Sequence, residues 1–62
     1  MNWYIYNFHG GGWNSCQATD IRSARKQEAE RWADSPNLIP KDDSFRKVTW
    51  KELEEIYRMT AD

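Results

Sequence analysis

Three consecutive glycines, Gly10-Gly11-Gly12, stand between two runs rich in aromatic and β-favouring residues, and this punctuation constrains the chain more than any other feature. Glycine adopts positive φ without the steric penalty of a Cβ, so the triplet marks a place where the backbone reverses. Residues 2–8, Asn-Trp-Tyr-Ile-Tyr-Asn-Phe, predict a strand, and residues 13–18, Trp-Asn-Ser-Cys-Gln-Ala, predict its return. A four-residue turn over 9–12 pairs Phe8 with Trp13, Tyr6 with Ser15 and Tyr4 with Gln17. Side chains alternate across a strand, so this register puts Trp3, Ile5, Cys16 and Ala18 on one face. Tyr4, Tyr6, Phe8 and Trp13 fall on the other, with Ser15 and Gln17. Cys16 and Ala18 are small enough for a helix to approach, which makes theirs the expected core face and leaves the four aromatics as a partly exposed stripe.

The remainder of the chain supplies two helices and a short strand. Thr19, Asp20 and Ser23 offer capping oxygens, and no Pro or Gly interrupts Ile21 to about Asp34. Ile21, Ala24, Ala29, Trp32 and Ala33 form a thin apolar stripe interrupted by Arg25 and Glu28. We expect those two side chains to lay their stems along the surface and to pair with each other or with the second helix. Pro36 ends this helix, and Leu38 and Ile39 are expected to tuck a loop against the core. Ser44 to Thr49 predicts a third strand with Val48 inward. Thr49-Trp50-Lys51-Glu52 then fits a capping box, opening a helix to about Thr60 with Trp50, Leu53, Ile56 and Tyr57 on one side. The expected fold is α+β, ordered ββαβα: one domain over residues 1–62, with a three-stranded antiparallel sheet and both helices on one face.

Composition narrows the function classes. A chain of 62 residues holds a single small core and no doubly wound sheet or barrel. Nine Lys and Arg against ten Asp and Glu give a net charge of −1, which lends no bulk attraction to phosphate. One Cys and one His make neither an intramolecular disulfide nor a Cys/His zinc site, so a reducing cytoplasm is the expected compartment. No stretch of apolar residues predicts a leader or a membrane span. The glycine run is not followed by the Lys-Ser/Thr and helix of a phosphate loop. Cys16 lies mid-strand, away from His9 in the turn, and reads as a structural thiol. Asp42-Asp43 and Glu54-Glu55 are acid pairs, but neighbouring positions on a helix diverge by about 100° and do not converge on one ion. No cofactor, metal or catalytic constellation is predicted, and the chain is expected not to be an enzyme.

The aromatic stripe admits three readings. It is covered by the 38–44 loop or by a second copy of the chain, it anchors a protein partner, or it stacks on single-stranded nucleic acid. The first two are favoured because the hairpin strands carry no Lys or Arg. Residues 32–62 hold seven acids against five bases, making the C-terminal half mildly acidic.

In size and plan, with the aromatic hairpin, the segment ATDIRSARKQEAERWADSP and the segment KVTWKELEEIYRM, the chain resembles small phage-encoded accessory proteins of the anti-CRISPR type. That resemblance implies a non-enzymatic inhibitor in the bacterial cytoplasm. It would bind a CRISPR effector subunit of Cascade type over its basic DNA-binding surface, through an acidic patch that locally mimics DNA. The candidate partner-binding residues are Asp42, Asp43, Glu52, Glu54 and Glu55, with Asp62 beyond them, and Tyr4, Tyr6, Phe8 and Trp13 as a second contact. A single-stranded nucleic-acid binding module and a small phage structural or assembly protein, dimeric through its aromatic face, are the alternatives.

Overall fold

The computed structural model describes residues 1–60. Strands β1 (Asn2–Asn7) and β2 (Trp13–Ala18) form the hairpin, helix α1 (Ile21–Arg31) follows, and a 3₁₀ turn (Asp42–Ser44) leads into β3 (Arg46–Val48) and helix α2 (Trp50–Thr60). The sheet order is β2-β1-β3, with β1 antiparallel to both neighbours. This is the expected α+β fold and the expected order ββαβα.

The hairpin register differs from expectation by one residue. Tyr4 stands opposite Cys16, Tyr6 opposite Asn14 and Asn7 opposite Trp13. The Phe8 N–H donates to the Gly12 carbonyl (3.0 Å) and the Gly11 N–H to the Phe8 carbonyl (3.1 Å), so the ladder runs on to Phe8 and Gly12. Only His9, Gly10 and Gly11 turn the chain, with Gly11 at φ 101° and Gly12 at φ 86°. A three-residue reversal needs positive φ just after the β-turn, and the glycine run provides it. Because the side-chain period is two, this shift moves all of β1 to the opposite face relative to β2. Tyr4, Tyr6 and Phe8 therefore join Cys16 and Ala18 on one face, while Trp3 and Ile5 join Trp13, Ser15 and Gln17 on the other.

The aromatic stripe expected at the surface is thus the main core. Tyr4, Tyr6, Phe8, Cys16, Ala18, Ala24 and Phe45 form one buried cluster, with Ile21, Trp32 and Leu38 packed against it. Tyr6 stacks on Phe45 (4.5 Å between centroids, 10° between planes), and Phe8 meets both Tyr6 and Trp32 edge to face. Ala24, fully buried, lets α1 settle over β1 and β2. The loop after α1 contributes Leu38 to this face, but Ile39 points outward, contrary to expectation. Phe8 bridges to Pro40, and hydrogen bonds His9 N–H to Ile39 O (2.9 Å) and Lys41 N–H to Asn7 O (2.8 Å) stitch the loop to the hairpin.

The two helices do not share a face. The β1 residue Trp3 rests on Trp50 (5.4 Å), the β2 residue Trp13 on Tyr57 (5.2 Å), and the Ser15 and Tyr57 hydroxyls lie 2.7 Å apart. All three sheet residues are on the face opposite α1. The seven residue steps along the helix from Trp50 to Tyr57 span about 10 Å, and the four steps along β2 from Gln17, opposite Trp3, to Trp13 span about 14 Å. The two aromatic pairs therefore hold α2 lengthwise along the sheet, with Leu53 fully buried between them and Val48 buried beside Trp3. The physical reason is order of filling: α1, crossing from β2 to the parallel β3, already occupies the Tyr6 face, and α2 starts without a linker on the face left open. Trp3, expected on the core face, and Trp32, Trp50 and Tyr57, expected on the apolar sides of the helices, are half-buried or exposed.

The capping box forms as read. The Glu52 N–H donates to Thr49 Oγ1 and the Thr49 N–H to Glu52 Oε1, both at 3.1 Å. At the start of α1 the Ser23 N–H donates to Asp20 Oδ1 (2.7 Å). The N–H groups of Thr49 and Ser23 hold the Glu52 and Asp20 carboxyls below their ordinary range. A depressed folded-state pKa contributes stability above the unfolded value, lost as pH falls through the folded value. Thermal midpoints should therefore drop on acidification below pH about 4, and Glu52→Gln should flatten part of that drop. Thr49→Ala should cost about 1 kcal/mol in urea denaturation at neutral pH.

Candidate functional site

The structure separates the residues that sequence reasoning grouped. Tyr4, Tyr6 and Phe8 are 3 %, 1 % and 8 % exposed, so these rings offer no platform for bases and no face for a second copy. Trp13 alone of the four keeps exposed surface, and it lies on the α2 side against Tyr57. The acids also fall into two groups. Asp42 and Asp43 sit on the 3₁₀ turn next to α1, while Glu52, Glu54 and Glu55 are exposed along α2 on the other side of the sheet. Asp62 lies outside the described residues.

Sequence reasoning missed the polar centre of the fold. Glu28 is fully buried, not a snorkelling surface residue. Its Oε1 accepts from the Tyr6 hydroxyl at 2.5 Å, and its Oε2 accepts from Gln27 Nε2 at 3.1 Å. Trp32 Nε1–H in turn donates to the Tyr6 oxygen at 2.9 Å, and Arg31 reaches Oε1 from the solvent side at 3.6 Å. Arg25, the expected partner, instead donates from Nε to the Asp42 carbonyl (3.0 Å). The signal was present: Ala24, Glu28 and Trp32 follow one another at intervals of four, so Glu28 lies in the middle of the inward row. Among the described residues no buried side-chain nitrogen or oxygen lacks a partner, so this network is fully satisfied and holds α1 to the sheet.

Burial pushes the Tyr6 hydroxyl well above its ordinary value, reinforced by the bond to Glu28, and pushes the Cys16 thiol from 9.0 up to about 11. A thiol so placed is a poor nucleophile. Modification of Cys16 by a thiol reagent at pH 8 should be slow in the native protein and accelerate with urea. Both folded-state pKa values are raised, so the unfolded chain loses these protons first. Stability is full below the ordinary thiol value and falls as pH rises from 9.0 toward about 11, which urea midpoints measured across that interval should show. Cys16→Ala should remove part of the slope. Among the described residues no group of three or more His, Cys, Asp or Glu could hold a metal ion, and no helix is long and apolar enough to cross a membrane.

Among the described residues, two surfaces stand out as open. The first follows α2: Trp50 and Tyr57 are 58 % and 46 % exposed despite their contacts with the sheet, and Met59 is exposed beyond them. Glu52, Glu54 and Glu55 flank this row, Glu52 within the capping box and Glu54 in an exposed pair with Arg58 (3.4 Å). The second is a groove of about 700 Å³ between the end of α1, the loop 35–43 and the hairpin turn. The sheet edges, by contrast, are blunted. On β2 the Ser15 N–H bonds to Asn14 Oδ1 (2.8 Å) and the Gln17 carbonyl accepts from Gln27 Nε2 (3.2 Å), while β3 is three residues long and carries Arg46 and Lys47. Compared with protein-family models, with curated proteins and with solved structures, the chain matches none.

Proposed function

We propose that this protein is a non-enzymatic, protein-binding inhibitor that works by occupying a basic surface of its partner, and that the partner is a DNA-binding subunit of a Cascade-type CRISPR effector in the bacterial cytoplasm. The observation that supports this most is the exposed surface along α2, where Trp50 and Tyr57, still about half exposed beside the sheet, neighbour the exposed carboxylates of Glu52, Glu54 and Glu55. Aromatic anchors bring apolar area at low entropic cost, and carboxylates around them select Lys- and Arg-rich surfaces and speed encounter. The acidic patch of this reading is the α2 row rather than all five acids, and the aromatic contact is Trp50, Tyr57 and Trp13 rather than the buried stripe.

The test is an interference assay. Cells with an active Cascade-type system, challenged by a targeted phage, should be protected by the wild-type protein, and the purified protein should block target-DNA binding by the purified effector. Trp50→Ala and the pair Glu54→Lys with Glu55→Lys should each weaken that block at least tenfold while leaving the far-ultraviolet circular dichroism spectrum unchanged. No protection of phage, together with unaltered DNA binding by the effector at saturating protein, would overturn the proposal.

A further inference from the structure

The groove beside α1 stands apart from the α2 surface. Its walls are apolar, formed by Trp32, Pro36, Leu38, Ile39 and Pro40, and the adjoining Lys41, Asp42 and Asp43 line it as well. His9 and Lys41 also line a shallower depression running on to Trp13. We infer that this groove binds an extended segment of a partner protein in which an apolar side chain is followed by Arg or Lys, the apolar group seated between Trp32 and Pro40 and the cation at Asp42 and Asp43.

Charge and rigidity both support that occupant. Among the described residues neither Asp42 nor Asp43 has a cation within ion-pair distance, and Arg25 is committed to the Asp42 carbonyl rather than to a carboxylate. Two open carboxylates next to apolar walls favour a cation that carries apolar surface with it. The indole N–H of Trp32 is already bonded to Tyr6 and the Arg31 guanidinium lies 5.5 Å from its ring centroid, so the half-buried ring offers the groove only apolar and π surface. The segment that carries these carboxylates is held in place. Ser44 Oγ donates to the Lys41 carbonyl (2.6 Å) and accepts from the Asn7 N–H (2.8 Å), and the Lys41 N–H bonds to Asn7 O, tying the 3₁₀ turn to β1. A preformed groove loses little conformational entropy on binding. Ile39, 55 % exposed on the wall, is the apolar surface that an occupant would cover. This inference is independent of the α2 reading, because the two surfaces lie on opposite sides of the sheet.

The probe is an acetylated peptide with a central Leu-Leu-Arg-Arg between Gly-Ser spacers, titrated into the ¹⁵N-labelled protein. Saturable amide shifts are expected over residues 29–43. Replacing the two Arg of the peptide by Glu, or Asp42→Asn with Asp43→Asn in the protein, should weaken binding at least tenfold, and Ile39→Ser should weaken it separately. The α2 pair Glu54→Lys with Glu55→Lys should leave it unchanged. Absence of saturable shifts at millimolar peptide, shifts confined to α2, or undiminished binding to the folded Asp42→Asn, Asp43→Asn protein would each overturn the inference.

Discussion

Replacing Glu28 with leucine should destabilise the protein by about 2 kcal/mol, because the buried Tyr6 hydroxyl loses its acceptor. Tyr6→Phe should cost about 2 to 3 kcal/mol, since it leaves the carboxylate of Glu28 buried without its main donor and removes the acceptor of Trp32. Made together, the two substitutions should cost less than their sum by at least about 1 kcal/mol. The double variant has neither an isolated carboxylate nor an isolated hydroxyl, and the half-buried Trp32 can turn its N–H toward water. Urea denaturation of the four proteins measures this coupling, and additivity within experimental error would show that the network does not act as a unit. Glu28→Ala adds a cavity to the lost bonds. Its cost approaches the few kcal/mol that a core of this size supplies, so this variant should be largely unfolded at 25 °C.

Leu53→Ala should be nearly as severe, at about 3 kcal/mol. Leu53 is fully enclosed between α2 and the sheet, in a layer that shares none of the buried residues around Tyr6. If both helices lay on one face, Leu53 would belong to that main cluster, and Trp3 and Trp13 would respond little to its loss. With the helices on opposite faces, Leu53→Ala should loosen the pairs Trp3–Trp50 and Trp13–Tyr57, lowering near-ultraviolet circular dichroism from tryptophan below the denaturation midpoint. A cost below about 1 kcal/mol would contradict a packed second layer.

Much of the local structure was legible because its causes are local. The capping box needs only Thr49 and Glu52 three residues apart, and the inward row of α2 needs only helical spacing. The hairpin was legible as a hairpin, but not its parity. Whether three or four residues turn the chain depends on which glycines take positive φ, and that small choice reassigned Tyr4, Tyr6 and Phe8 from surface to core. The candidate site inherited the error: a partner-binding stripe placed on those rings could not survive a one-residue shift, whereas the α2 acids, read from helical spacing, remained at the surface.

Glu28 shows the same division from the other side. An acid in the middle of an inward row is visible in the sequence as a conflict of pattern, yet its resolution required a hydroxyl 22 positions earlier to face the same way. The glycine triplet, the caps and the helical periodicities prescribe which elements form and in what order, since each depends on backbone conformation and contacts within a few residues. Register, the side of the sheet on which each helix packs, and hence which aromatics are anchors and which are core, depend on contacts between distant segments. Those contacts compete for two faces of one small sheet, and only the folded whole resolves the competition.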